Sequence, residues 1–198
     1  MTEATGELPR VIRGTMVSMR PCITDLETIR DLTLKGFGYA DEKDQGSRLF
    51  LESFEALYLL HLGQLTLSRG KRALTFDSFL NACRKSDPDI LTRFLIYRDL
   101  RSRGYVAKDG FGFGADFRVY ERGQFGQKGS RLLIFGLVEG QPDKTGRLQK
   151  KIREMSRMGK EPIMAVVDRH GEIVYYKINA IEFRENRHHM RPTDSLAK

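Results

Sequence analysis

The stretch Pro88-Asp-Ile-Leu-Thr-Arg-Phe-Leu-Ile-Tyr-Arg-Asp-Leu-Arg-Ser-Arg-Gly104-Tyr-Val-Ala-Lys108 is where the chain changes from helical to strand periodicity. Pro88 suits a first helical turn, where its missing N–H costs nothing. Ile90, Leu91, Phe94, Leu95 and Tyr97 line one side at helical spacing, with Arg93, Arg98 and Arg101 interspersed. Gly104 ends the helix. Strand patterns follow at Tyr105–Lys108, Ala115–Tyr120 and Ser130–Val138. A basic helix is predicted over Lys144–Met158, then a strand over Pro162–Asp168, a tight turn Arg169-His170-Gly171, and a last strand over Glu172–Ile178.

Upstream of Pro88, Val11–Ser18 alternates like a strand. Thr24 is placed to cap a short helix, Asp25–Leu34, that stops at Gly36. Asp41–Gly46 reads as a turn, and Ser53 as the cap of an amphipathic helix that runs to Gly63. Leu57, Leu60 and His61 sit at helical spacing there, so His61 reads as a structural histidine. Gly70 and Lys71 mark another turn, and Phe76–Lys85 a third helix. Together these predict an α/β chain. A small N-terminal α/β domain spans residues 11–87, and a mixed β-sheet domain with flanking helices spans 88–185. Residues 1–10 and 186–198 read as loose tails.

Composition narrows the function. No apolar run is long enough to span a bilayer, and no basic-then-apolar leader opens the chain, so a cytoplasmic protein is expected. Cys22 and Cys83 stand alone, without CxxC or histidine at ligand spacing, and read as buried thiols rather than a metal site. The net charge is +8, and it is unevenly placed. Residues 1–100 hold 14 basic and 14 acidic side chains; residues 101–198 hold 20 and 12, the whole of the excess. A domain with that imbalance attracts polyanions, nucleic acid first.

Two apparent motifs fail on context. Gly110-Phe-Gly-Phe-Gly114 resembles a dinucleotide loop but precedes a strand rather than a helix. Asp116 with Glu139 suggests a metal-dependent nuclease, yet Gly140 and Gln141 follow Glu139, with no lysine to complete the acidic-x-Lys grouping.

Four stretches, in order, resemble the archaeal tRNA-splicing endonuclease (tRNA-intron endonuclease) family. They are Phe54-Glu-Ala-Leu-Tyr-Leu-Leu60, Tyr97-Arg-Asp-Leu-Arg-Ser-Arg-Gly-Tyr105, Gly112-Phe-Gly-Ala-Asp-Phe-Arg-Val-Tyr120 and Ala165-Val-Val-Asp-Arg-His-Gly-Glu-Ile-Val-Tyr-Tyr176. The likeness covers roughly residues 13–182 and implies a small α/β domain followed by a nuclease-like one. It also implies cleavage of pre-tRNA at intron boundaries without a metal or other cofactor. A ribose 2′-OH attacks its adjacent phosphate and leaves a 2′,3′-cyclic phosphate and a 5′-OH. Such a reaction needs a base, an acid and a cation beside the charged phosphorane, which the family supplies as Tyr, His and Lys.

Matched position by position, Tyr120 takes the base position and Lys160, five residues before Ala165, the lysine position. The family's histidine precedes a serine; here Gly129 precedes Ser130, and no histidine lies between His61 and His170. The resemblance further places Arg153 where an arginine stacks on a flipped-out bulge base. Lys150, Lys151, Arg153 and Arg157 together form a phosphate-tracking face.

Three functions follow: a structural or partly degenerate subunit whose acid comes from a partner, a self-sufficient endonuclease with a substitute acid such as Lys128 or water, and a tRNA-binding module that does not cleave. The implied substrate is a bulge–helix–bulge in intron-containing pre-tRNA. The implied assembly is a homo- or heteromeric dimer of dimers, with no membrane contact. Glu172–Ile178 would pair across its two-fold, and the Asp168–Glu172 turn, its acidity diluted by Arg169 and His170, would dock into a partner's cleft.

Overall fold

The computed structural model describes residues 11–41, 47–110, 114–140 and 159–179. In chain order the elements are β1 (Ile12–Val17), β2 (Arg20–Ile23), α1 (Leu26–Leu34), β3 (Tyr39–Ala40), β4 (Leu49–Phe50), α2 (Ser53–His61), β5 (Leu65–Arg69), β6 (Arg72–Leu74) and α3 (Phe76–Cys83). They continue with α4 (Ile90–Ser102), β7 (Val106–Asp109), β8 (Phe117–Tyr120), β9 (Leu132–Val138), β10 (Glu161–Val167) and β11 (Ile173–Lys177). The strands form two mixed sheets, ordered β3-β4-β2-β1-β5-β6 and β11-β10-β9-β8-β7. Among the described residues no helix is long and apolar enough to cross a membrane.

The α/β expectation is met, but the short N-terminal strands were not legible in the sequence. β2 to β4 span only two to four residues each, too short for alternation to register. Two caps also shift by one residue. Asp25, not Thr24, starts α1, because its carboxylate accepts from the Thr28 amide at 2.9 Å and the Thr28 hydroxyl at 2.6 Å. Glu52, not Ser53, starts α2: Glu55 reaches back to the Glu52 amide at 2.9 Å, while the Ser53 hydroxyl meets the Cys83 thiol instead. Both cysteines are buried thiols outside any disulfide.

The two sheets share one core. Phe54 of α2, Tyr97 of α4 and Phe117 of β8 meet with ring centroids 4.9–6.1 Å apart, and the cluster runs from Ile12 to Val167 without a break. The predicted apolar side of α4 is the buried one, with Ile90, Phe94 and Tyr97 inside. Arg93 is not on a solvated face. Its guanidinium lies 4.9 Å from the Phe54 centroid and donates to Asp87 at 3.1 Å and Asp109 at 2.7 Å. His61 ends α2 exposed, its ring set against Phe76 and Phe94.

Asp116 adds a charge to this region. One carboxylate oxygen accepts from the Gly136 amide at 2.7 Å, the other stands 4.0 Å from Arg93, and burial raises its pKa above the ordinary 3.8. A carboxyl with a raised folded pKa binds its proton more tightly folded than unfolded. Stability is therefore lost as pH rises from the unfolded value through the folded one. The Asp116→Asn variant lacks that loss. Its stability relative to the unaltered chain is expected to become more favourable between pH 3 and pH 7, as read by urea denaturation. A constant difference across that range would show that Asp116 ionises without penalty.

Candidate active site

Three neighbouring strands end together at one edge of the C-terminal sheet. β8 runs antiparallel to β9, and β9 runs parallel to β10. Val119, Leu132 and Glu161 form one row across them. One residue outward, the next row holds Tyr120, Arg131 and Lys160, joined by the Arg131 amide to the Val119 carbonyl and the Glu161 amide to the Arg131 carbonyl. Two strand spacings separate the Tyr120 and Lys160 backbones, about 10 Å. Because Val119 and Leu132 face the shared core, alternation turns the Tyr120 row to the opposite side of the sheet.

The sequence stretch after Tyr120 folds back as turns over residues 122–127. This brings the Phe125 ring edge-on to Tyr120, centroids 5.0 Å apart, a geometry that fixes the phenol's orientation. Phe125 in turn lies against Gly36. Gly36 follows α1 in the left-handed region at φ +77, where a β-carbon would stand 2.4 Å from Val106, so only glycine fits.

Lys160 is positioned by its neighbours rather than free: its amine donates to the backbone carbonyl of the buried Ser130. Gly129 sits beside it. A β-carbon built at 129 would meet only the Lys160 amine, 4.0 Å away, and its φ lies outside the left-handed region. The position where the resemblance expects a histidine therefore adjoins Lys160, with open space around it. Arg131, between the two, bridges Glu121 at 2.7 Å and Glu161 at 2.6 Å across the strand ends. Sequence reading missed the contacts of Phe125, of the Ser130 carbonyl and of Arg131, since a turn residue, a carbonyl and an ion pair leave no periodic signal. Arg153, Lys150, Lys151 and Arg157 lie outside the described residues.

At the other end of the sheet, Asp168 spends its carboxylate on its own turn. It accepts from the His170 amide at 2.8 Å and the Glu172 amide at 2.9 Å, and these bonds hold its pKa below the usual range. Next to it, β11 is an edge strand, with Val174 52% and Tyr176 50% exposed.

Residues 12–80 match the family described as tRNA intron endonuclease, N-terminal domain, and residues 90–175 match tRNA intron endonuclease, catalytic C-terminal domain. Three relatives, each named tRNA-splicing endonuclease, align over most of their length. That of Pyrococcus furiosus is 36% identical over 146 residues, covering 74% of this chain and 83% of the relative. That of Thermococcus gammatolerans is 36% identical over 136 residues, 69% and 80%. That of Methanococcus maripaludis is 30% identical over 174 residues, 87% and 96%.

Proposed function

The chain belongs to the tRNA intron endonuclease family, and from that premise we propose that it is a subunit of a cytoplasmic tRNA-splicing endonuclease that needs a partner's histidine to complete its chemistry. The enzyme cuts pre-tRNA at intron boundaries. Tyr120 takes the proton from the ribose 2′-OH, which attacks the adjacent phosphate; Lys160 stabilises the negative charge that gathers on the phosphorane. A proton donor must then protonate the departing 5′ oxygen. Gly129 offers none, so the acid comes from another subunit, and this chain serves as the structural or partly degenerate member.

One observation carries this reading: the ends of β8, β9 and β10 bring Tyr120, Gly129 and Lys160 to one edge, with room for a side chain at Gly129 beside Lys160. The substrate that suits such a site is a bulge–helix–bulge, since an unpaired loop can set a 2′-OH in line with its phosphate while a continuous A-form duplex cannot. Lys150, Lys151, Arg153 and Arg157 are proposed to hold that RNA. The division of the chain near residues 87 and 88 is proposed to separate the two family domains. The exposed outer residues of β11 support pairing with a second subunit in a dimer of dimers. The inward-turned Asp168 carboxylate leaves Glu172 as the acidic side chain free to face a partner in the docking turn.

The deciding experiment incubates intron-containing pre-tRNA with the purified chain, alone and with a histidine-bearing family partner. Cleavage only in the mixture, giving a 2′,3′-cyclic phosphate and a 5′-OH, is the expected result. Cleavage by the chain alone would point to a self-sufficient enzyme. Tight binding with no cleavage in either mixture would leave a tRNA-binding module.

A further inference from the structure

The N-terminal half carries no net charge, yet its fold separates the charges. The β1–β2 hairpin closes between Val17 and Arg20, and the β5–β6 hairpin between Arg69 and Arg72. β1 pairs with β5 in parallel, Thr15 opposite Ser68, so both hairpin tips lie at the same end of the sheet. Their contact is direct: the Arg69 guanidinium stands 3.6 Å from the Met19 sulfur. Arg20, Arg69, Lys71 and Arg72 thus share one rim, which crosses four strands and is about 14 Å wide at ordinary strand spacing. The acidic Asp25, Glu27 and Asp41 follow the opposite ends of β2 and β3.

All four of these cations are exposed and stand at adjoining strand ends. Arg93, Arg103, Lys108, Arg131 and Lys177 each have a carboxylate partner. Arg20 is steadied by the Tyr39 hydroxyl at 2.8 Å, and Glu52 feels its charge through space. Among the described residues none of the four on the rim forms an ion pair. The tip between them is also strained. Ser18 and Met19 both adopt left-handed backbone, φ +47 and +68, at positions where such a two-residue turn favours asparagine and glycine. Met19 is 67% exposed there. Strain and exposed apolar surface kept together among unpaired cations point to a surface used for binding.

We propose that these paired hairpin tips form a second RNA-binding rim, which holds the phosphate backbone of the folded tRNA body while the C-terminal sheet edge engages the cleavage site. Four unpaired cations select a polyanion, and Met19 offers an apolar contact to ribose or an unstacked base. The choice of RNA among polyanions rests on the endonuclease reading above. A chain of contacts joins the two regions: Arg20 to Tyr39, on the segment that begins at Gly36, then Gly36 to Phe125, and Phe125 to Tyr120.

The test uses the full chain and mature tRNA, which has no intron and so no cleavage site. Binding is followed by fluorescence anisotropy across a salt series. The Arg69→Gln/Lys71→Gln/Arg72→Gln variant, with its melting temperature checked, is expected to bind at least about tenfold more weakly at 0.1 M salt. Its slope of log K against log salt should be shallower by about 2 to 3. An Arg69→Lys/Arg72→Lys variant should keep both slope and affinity. Equal slope and affinity in the glutamine variant would overturn the proposal. So would failure of the unaltered chain to bind tRNA, or its capture by phosphatidylserine vesicles in preference to tRNA. Failure of the endonuclease reading would appear separately, as no cleavage of pre-tRNA by the unaltered chain with its partner, and the tRNA salt slope would still decide the rim.

Discussion

Replacing Lys108 with methionine is expected to destabilise the folded chain by about 3–5 kcal/mol, because it strands a buried carboxylate. Glu55 is 0% exposed on α2. One of its oxygens accepts from the Gly38 and Glu52 amides, each at 2.9 Å, and the other from the Lys108 amine at 3.1 Å. Lys108 also donates to the carbonyls of Gly36 at 3.1 Å and Gly38 at 2.6 Å. A single ammonium on β7 therefore neutralises a buried anion and satisfies two carbonyls of the segment after α1. Arg101 of α4 grips the same segment, donating to the Lys35 carbonyl at 3.0 Å and covering Phe37. This is the polar fastening between the two sheets, and it sets where Gly36 meets Phe125.

Methionine matches the lysine stem but supplies neither the charge nor the three donors. For a chain of this size the loss corresponds to a melting temperature lower by roughly 10 °C. Adding Glu55→Gln should recover at least half of it, since a neutral amide still accepts from the Glu52 amide and no longer needs a counter-ion. Thermal and urea unfolding of the single and double variants check both statements. A loss under about 1 kcal/mol in Lys108→Met would mean that Glu55 is not sealed from water.

Gly129→His is expected to confer cleavage on the chain without any partner, at a rate about 10² to 10⁴ above its own background, the usual contribution of a positioned general acid. The backbone at 129 accepts a side chain without strain, and the only atom near the new β-carbon is the Lys160 amine at 4.0 Å. An imidazole there stands beside a fixed positive charge, which lowers its pKa and favours release of its proton to the departing oxygen. Tyr120→Phe in the same background should abolish the gain, because the 2′-OH then has no base. Single-turnover cleavage of pre-tRNA, with the end groups identified, measures both. If the histidine variant stays as inactive as the parent, Tyr120 and Lys160 do not make the retained part of a cleavage site.

Much of the C-terminal half was legible in the sequence because its strands are long enough to alternate and its helix long enough to repeat. Ile90, Phe94 and Tyr97 were assigned to the core by spacing alone, and they are there. Tyr120 and Lys160 are proposed from their offsets within a motif. Their neighbourhood was not legible, because it depends on β9 running parallel to β10, which only the register shows. The same limit hid Arg93 and Lys108. Spacing says nothing of a partner for either, and each pairs with a carboxylate of another element.

The sequence by itself determined the α/β class and the family, and put a glycine rather than a histidine at position 129, since these rest on residue type and local spacing. The tertiary structure alone decided which charges meet. Residues 1–100 sum to zero, and a sum carries no position. Strand pairing put Glu55 against Lys108, left Arg20, Arg69, Lys71 and Arg72 together on one rim, and set Gly129 beside Lys160. Coulomb interactions depend on distance through space, and sequence separation does not give that distance until the chain has folded.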